Sequence, residues 1–227
     1  PTITGSSSVC SGTEGVEYIT EADQENYVWD LTGGTITSGG SSNDNTATIT
    51  WNESGSQTLS VNYTNSNGCD ATTPAEYSVD VLPLPEQNIF GSSSVCVNAT
   101  NIEYSTESGM TDYQWTVSPG NEIVGSSTNN NAFVNWNTLG SHTVQVTYTG
   151  ANGCDAATPG TYNVIVNELP SPTITDGSES VCNNSTETYI TQPGMSDYEW
   201  IVTGGDFTSN GNTATITWNS AGNQNVS

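Results

Sequence analysis

The sequence predicts an all-β chain arranged as tandem β-sandwiches, and three observations carry that expectation. Thr, Val, Ile, Tyr and Trp, which suit strands, alternate with Gly, Asn, Ser and Pro, which suit turns, and no segment shows the apolar spacing of an amphipathic helix. The six Trp and ten Tyr supply aromatic mass that disordered chains lack. The chain also repeats itself, with a spacing of 85 to 86 residues.

Three copies are visible. The segment Gly5 to Cys10 (GSSSVC) recurs unchanged at Gly91 to Cys96 and as GSESVC at Gly177 to Cys182. A Tyr-x-Trp triplet recurs as Tyr27 and Trp29, Tyr113 and Trp115, Tyr198 and Trp200. Trp-Asn-x-x-Gly starts at Trp51, Trp136 and Trp218, and NGCDA spans Asn67 to Ala71 and Asn152 to Ala156. Leu82-Pro83-Leu84-Pro85 closes the first copy and Leu169-Pro170-Ser171-Pro172 the second. Proline-marked connections this short are semi-rigid rather than flexible. The expected division is therefore 1–85, 86–170 and 171–227. The third copy stops at Ser227, short of its NGCD segment and last strand, so the natural chain is expected to continue there and to begin before Pro1.

Within the first copy the expected strands are Pro1 to Thr4 continuing to Cys10 as one edge strand, then Val16 to Thr20, Tyr27 to Leu31, Thr46 to Trp51, Thr58 to Thr64 and Tyr77 to Leu82. Each alternates apolar and polar residues, so each sheet has one buried and one wet face. About seven short strands per copy, with a Trp on the third, read as an immunoglobulin-like sandwich. Trp29, Trp115 and Trp200 are assigned to the core, and Trp51, Trp136 and Trp218 are also expected to be buried rather than to stack on sugars.

Charge narrows the function classes. There are 24 acidic residues and no Lys or Arg, a formal net charge of −24. Such a chain repels nucleic-acid phosphates and anionic headgroups, and no apolar run is long enough to span a membrane. No intrachain salt bridge to Lys or Arg can form, so stability must come from packing, hydrogen bonds and disulfides. The one His, His142, takes the place of Gln57 and Gln224 and is expected to face solvent. With no recurring base, a Ser-His-Asp triad has nothing to build on, and no clustered His and Cys suggest a transition-metal site. Glu21, Asp23 and Glu25 share one loop with Asp30 nearby, a set of hard oxygen donors that would suit a structural calcium ion. The matching loop of the second copy, Glu107 to Asp112, has fewer carboxylates, and EF-hand spacing is absent, so a solvated loop with no cofactor is the favoured reading. Asn98 to Thr100 and other glycosylation-type strings are read as incidental to an Asn/Thr-rich chain.

The order Val-Cys, Tyr, Tyr-x-Trp, Trp-Asn-x-x-Gly, Asn-Gly-Cys and a final strand resembles the PKD-like repeats of Bacteroidota surface proteins. It is most similar to repeats of the giant gliding-motility adhesins exported by the type IX secretion system. The familiar Trp-Asp-Phe-Gly-Asp-Gly turn is replaced by Trp29-Asp30-Leu31-Thr32-Gly33-Gly34 and, in the other copies, by segments starting at Trp115 and Trp200. The resemblance implies an extracellular, cell-surface module with a spacer or adhesive role and no catalytic residues. Its implied partners are neighbouring repeats, surface polysaccharide or the outer-membrane motility and secretion machinery. A carbohydrate-binding or accessory role in a secreted polysaccharide-degrading enzyme is the alternative.

The five cysteines, Cys10, Cys69, Cys96, Cys154 and Cys182, are fixed within the repeats and suggest disulfides. Pairing within copies would join Cys10 to Cys69 and Cys96 to Cys154. In an immunoglobulin-like topology, however, Cys10 and Cys69 fall at opposite ends of one sandwich. That separation, about 20–26 Å for a strand of six to eight residues, exceeds the roughly 7 Å a disulfide spans. The favoured pairing is therefore Cys10 with Cys154 across the junction, leaving Cys96 for a residue beyond Ser227 and Cys69 for one before Pro1.

Overall fold

The computed structural model describes all residues, 1–227, as strands, turns and loops with no helix. It divides into two compact units, Pro1–Glu168 and Leu169–Ser227. The first unit holds two sandwiches of the same build, each with its own core.

The first sandwich contains β1 (Ser8–Cys10), β2 (Val16–Ile19), β3 (Glu25–Leu31), β4 (Gly34–Gly39), β5 (Thr46–Trp51), β6 (Gly55–Thr64) and β7 (Ala75–Leu82). One sheet has the order β1-β7-β6-β3 and the other β2-β5-β4. Alternation is strict where both faces matter: in β5, Ala47, Ile49 and Trp51 are buried and each follows a Thr that faces outward. Together with Tyr18, Trp29, Leu59, Val61, Val79 and Val81 they fill the space between the sheets.

The second sandwich contains β8 (Phe90–Gly91), β9 (Ser94–Cys96), β10 (Ala99–Ser105), β11 (Thr111–Val117), β12 (Glu122–Val124), β13 (Asn131–Trp136), β14 (Gly140–Thr149) and β15 (Gly160–Asn167). Its sheets run β12-β13-β10-β8 and β11-β14-β15-β9. In both sandwiches the first and last strands of one sheet pair in parallel, β1 with β7 and β9 with β15. The second unit forms one sheet, β16 (Ile174–Asp176), β17 (Thr186–Thr191), β19 (Thr213–Trp218) and β18 (Gly205–Asn210), in that order. Its core is smaller: Tyr189, Trp200, Ala214, Ile216 and Trp218.

Two expectations about strands need correction. The first segment is not one edge strand. Thr4 bridges Ile19 of β2 in one sheet, whereas Ser8–Cys10 joins β7 in the other. The switch is made at Gly5, where an added Cβ would lie 2.2 Å from Cδ1 of the buried Tyr18. Gly91 against Tyr104 and Gly177 against Tyr189 repeat the contact, at 2.3 and 2.2 Å. The tyrosine hydroxyl donates to the next carbonyl in each case, Ser6, Ser92 and Ser178, all at 2.8 Å. In the first two copies the GSSSVC segment is thus a sheet-crossing device locked by a tyrosine. The second correction is β4, absent from the expected strands because glycines bound its short alternating run.

The residue before each Tyr-x-Trp triplet has left-handed backbone: Asn26 at φ 56°, Asp112 at 54° and Asp197 at 55°. Asn and Asp tolerate this conformation better than other L-residues. The strand register shifts at the first two of these positions, as in a β-bulge. The tyrosine that follows turns inward, and its hydroxyl donates to a carbonyl six residues back: Glu21, Glu107 and Gln192 at 2.7–2.8 Å.

Candidate functional site at the seam of the first unit

The tryptophans serve the core. Trp29, Trp115 and Trp200 are buried, and their indole N–H groups donate to the carbonyls of Asp44, Asn129 and Gly211 at 2.8–3.1 Å. Trp51, Trp136 and Trp218 are buried as well. No exposed tryptophan strip exists.

The structure joins Cys10 to Cys154, with an S–S distance of 2.04 Å and Cα atoms 5.7 Å apart. Cys10 pairs with Leu82 at the end of β7, so it lies where the chain leaves the first sandwich through Pro83. Cys154 lies in a tight loop closed by the Gly150 N–H on the Cys154 carbonyl at 2.8 Å. That loop meets the junction twice, through the disulfide and through Asn152 Nδ2 donating to the Pro83 carbonyl at 2.8 Å. A side chain at Gly150 would bring a Cβ within 3.4 Å of the Pro85 ring. Cys69 occupies the corresponding loop of the first sandwich, ahead of β7. An eight-residue strand therefore separates it from Cys10, about 26 Å at ~3.3 Å per residue. Cys69, Cys96 and Cys182 are free, exposed thiols.

A second fastening was not anticipated from the sequence. Glu107 accepts hydrogen bonds from Thr106 Oγ1 at 2.6 Å and from Asn88 Nδ2 at 2.7 Å, with the Asn88 backbone N–H at 3.2–3.3 Å. Tyr148 OH lies 2.8 Å from both Glu107 Oε2 and the Glu86 carbonyl, so its single proton serves one acceptor at a time. The segment after Pro85 is thereby tied to the body of the second sandwich. Glu21 holds Thr2 in the same way, through its backbone N–H at 3.0 Å and its hydroxyl at 2.7 Å. Gln192 Oε1 accepts the Thr173 N–H at 3.0 Å. The available signal was a recurring pair after each buried tyrosine: Thr20-Glu21, Thr106-Glu107 and Thr191-Gln192.

These contacts set the carboxylates' acidity. Burial alone would raise the pKa of Glu107, but hydrogen bonds from Thr106, Asn88 and Tyr148 outweigh it and hold the group at about 2. Burial would likewise raise the pKa of Glu21, but hydrogen bonds from Thr2 and Thr20 override it and hold the group at about 2. Tyr148 moves upward, through burial and its contact with the Glu107 carboxylate.

The oxygen donors weighed for calcium do not gather at one point. Glu21 is engaged with Thr2 and Thr20, while Asp23, Glu25 and Asp30 are exposed. No group of three or more acidic, His or Cys side chains converges on a point where a metal ion could be held. His142 corrects one expectation, for it does not face solvent. Its half-buried ring places Nε2 at 2.9 Å from the Thr138 carbonyl and 3.2 Å from that of Leu139. Carbonyls can only accept, so the proton sits on Nε2. Gln57 does the same in the first sandwich, donating to the Glu53 carbonyl at 3.1 Å. Both side chains brace the turn after Trp-Asn.

No curated protein matches the sequence. Among solved structures, the chain is similar to the fibronectin(III)-like modules of Clostridium thermocellum CbhA, at 16% identity over 73% of this chain and 94% of that one, with a TM-score of 0.31. It is similar to the D00-D0 domain of intimin at 12% identity, over 73% and 98% of the two chains, with a TM-score of 0.38. Similarity to invasin, a bacterial integrin-binding protein, is 16% over 96% of this chain, which spans 54% of that structure, with a TM-score of 0.36. The model of the PKD-like domain matches residues 1–79 and again 82–164, and no catalytic family is indicated. The chain belongs to the PKD-like domain family.

Proposed function

We propose that the chain is a spacer from the stalk of a bacterial cell-surface adhesin, built from PKD-like repeats at 1–85, 86–170 and 171–227. The observation that carries this reading is the seam between the first two sandwiches. A disulfide, an Asn152 side chain on Pro83 and the Glu107 fastening of Asn88 all restrict the peptide that connects them. A module that only needed to be tethered would require none of these, whereas a module that must hold a binding tip at a distance benefits from each. The acidic surface, free of Lys and Arg, keeps such a repeat soluble and discourages self-association. Cys96 and Cys182 hold the position of Cys10 in their copies, and Cys69 that of Cys154. The same joint would therefore continue along a longer array of repeats. Attachment to a cell surface, gliding motility and type IX export rest on the sequence resemblance. The test is electron microscopy of the purified chain before and after reduction. A narrow distribution of angles between the first two sandwiches that broadens on reduction supports a stiffened spacer. A distribution that is broad in both states ends the spacer reading.

A carbohydrate-binding role has one observation in its favour. Phe90 and Phe133 are exposed, on the outer face of the sheet β12-β13-β10-β8, where Thr4 and Thr48 stand in the first copy. Binding of neutral glycans that is lost in the Phe90→Ala, Phe133→Ala double variant would favour this second reading.

A further inference from the structure

We propose that the Cys10–Cys154 bond makes the first unit a length limiter: under tension the load crosses the disulfide and bypasses nearly both sandwiches. This property belongs to the chain itself and does not rest on the adhesin reading or on what is attached to its ends.

The bonded residues are 144 apart in sequence yet their Cα atoms are 5.7 Å apart. When the two ends of the chain are pulled, force enters along 1–10, crosses to Cys154 and leaves toward Glu168. Strands β2 to β14 all lie inside the closed loop. They can unfold thermally, but pulling on the ends cannot draw them out, because the loop's own ends are already joined. The whole core of the first sandwich and most of that of the second are shielded in this way.

What remains on the loaded path is almost straight. After Cys154 the path runs through a short loop into β15, eight residues long. A strand already rises about 3.3 Å per residue, close to the limit of an extended chain, so tension gains little length from it. β15 is also held on both sides, by seven register pairs with β14 and three with β9, and Val164 and Val166 anchor it in the core. Ahead of the bond, the loaded path contains only β1, with three pairs to β7. Without the bond the same tension would release the enclosed segment. A segment of 144 residues reaches about 500 Å at ~3.5 Å per residue. The sulfur bridge thus sets whether the first unit can yield by tens of ångströms or by hundreds.

The test is single-molecule stretching of the full chain held by its two ends, in the oxidised state and after adding a phosphine reductant to the folded protein. The oxidised chain should release only the 169–227 unit, at most about 200 Å, together with a small contribution from the first ten residues. The reduced chain should release about 500 Å more, in one or two steps. A triple variant with Cys69, Cys96 and Cys182 changed to Ser should behave like the wild type in both states. Equal extension with and without reductant overturns the proposal. So does an oxidised chain that hides only about 200 Å, the signature of Cys10 joined to Cys69. Using reductant on folded wild type keeps the test valid if a Cys10→Ser variant fails to fold.

Discussion

Replacing Glu107 by Gln separates the charge of the seam carboxylate from its shape. Gln192 occupies the corresponding position in the third copy and accepts the corresponding backbone N–H, so the substitution fits the site. The native carboxyl is held at about 2, against an ordinary value of 4.5. At full strength that difference corresponds to about 3 kcal/mol. The group is open to water on one side, and screening reduces the figure to about 1 kcal/mol. The folded-state pKa is depressed, so the stabilisation is fully present above pH 4.5 and is lost as pH falls toward 2. Thermal unfolding followed by circular dichroism, at pH 7 and at steps down to pH 2, reads this directly. At pH 7 the variant should melt about 2–4 °C below wild type, the shift expected of ~1 kcal/mol in a unit of this size. Between pH 4.5 and 2 the two curves should converge. The other carboxylates, including Glu21, titrate in both proteins and cancel in the difference. A gap that persists unchanged to pH 2, or no gap at pH 7, would refute the role assigned to the Glu107 charge.

Three further outcomes are expected. Gly91→Ala places a carbon 2.3 Å from the ring of the fully buried Tyr104, an overpacking that should cost about 2–3 kcal/mol in urea unfolding. Wild-type stability in that variant would mean that the sheet switch does not depend on this contact. Tyr18→Phe removes the hydroxyl that donates to the Ser6 carbonyl and accepts from Trp51 Nε1 at 3.1 Å. A loss of about 1–3 kcal/mol follows from the buried donor it strands, and an unchanged urea midpoint would count against it. Non-reducing peptide mapping with a protease specific for acidic residues should recover Cys10 linked to Cys154, and Cys10 linked to Cys69 would contradict the structure.

The sandwich architecture was legible because the buried residues announce themselves by period. Ala47, Ile49 and Trp51 alternate with threonines, and their burial follows from alternation alone. Repetition did more, since a feature seen three times at one spacing is a constraint rather than an accident. What escaped were contacts that depend on where two segments meet. GSSSVC reads as a strand by propensity, yet Gly5 is there to let the chain pass Tyr18 and change sheets. Glu21 and Glu107 read as solvated or metal-binding acids, because their type is compatible with both and the residues they fasten, Thr2 and Asn88, are 19 residues away. His142 read as exposed because glutamine replaces it, but glutamine and the Nε2–H tautomer share the one property used here, an N–H donor aimed at a turn carbonyl.

The placement of Cys69 at one end of β7 and Cys10 at the other has a consequence for the order in which folding and oxidation occur. In an unfolded chain the contest runs the opposite way. Cys69 is much nearer to Cys10 in sequence than Cys154 is, and loop-closure statistics favour the shorter encounter by about fourfold. Once β1 pairs with β7, that encounter is forbidden, for a strand's length of about 26 Å holds the two thiols apart. A chain that oxidises before it folds is therefore diverted into a short loop that the finished first sandwich cannot contain. A chain that folds first has Cys154 presented to Cys10 by the neighbouring sandwich. The Cys10–Cys154 bond is therefore the one favoured when tertiary structure precedes sulfur chemistry.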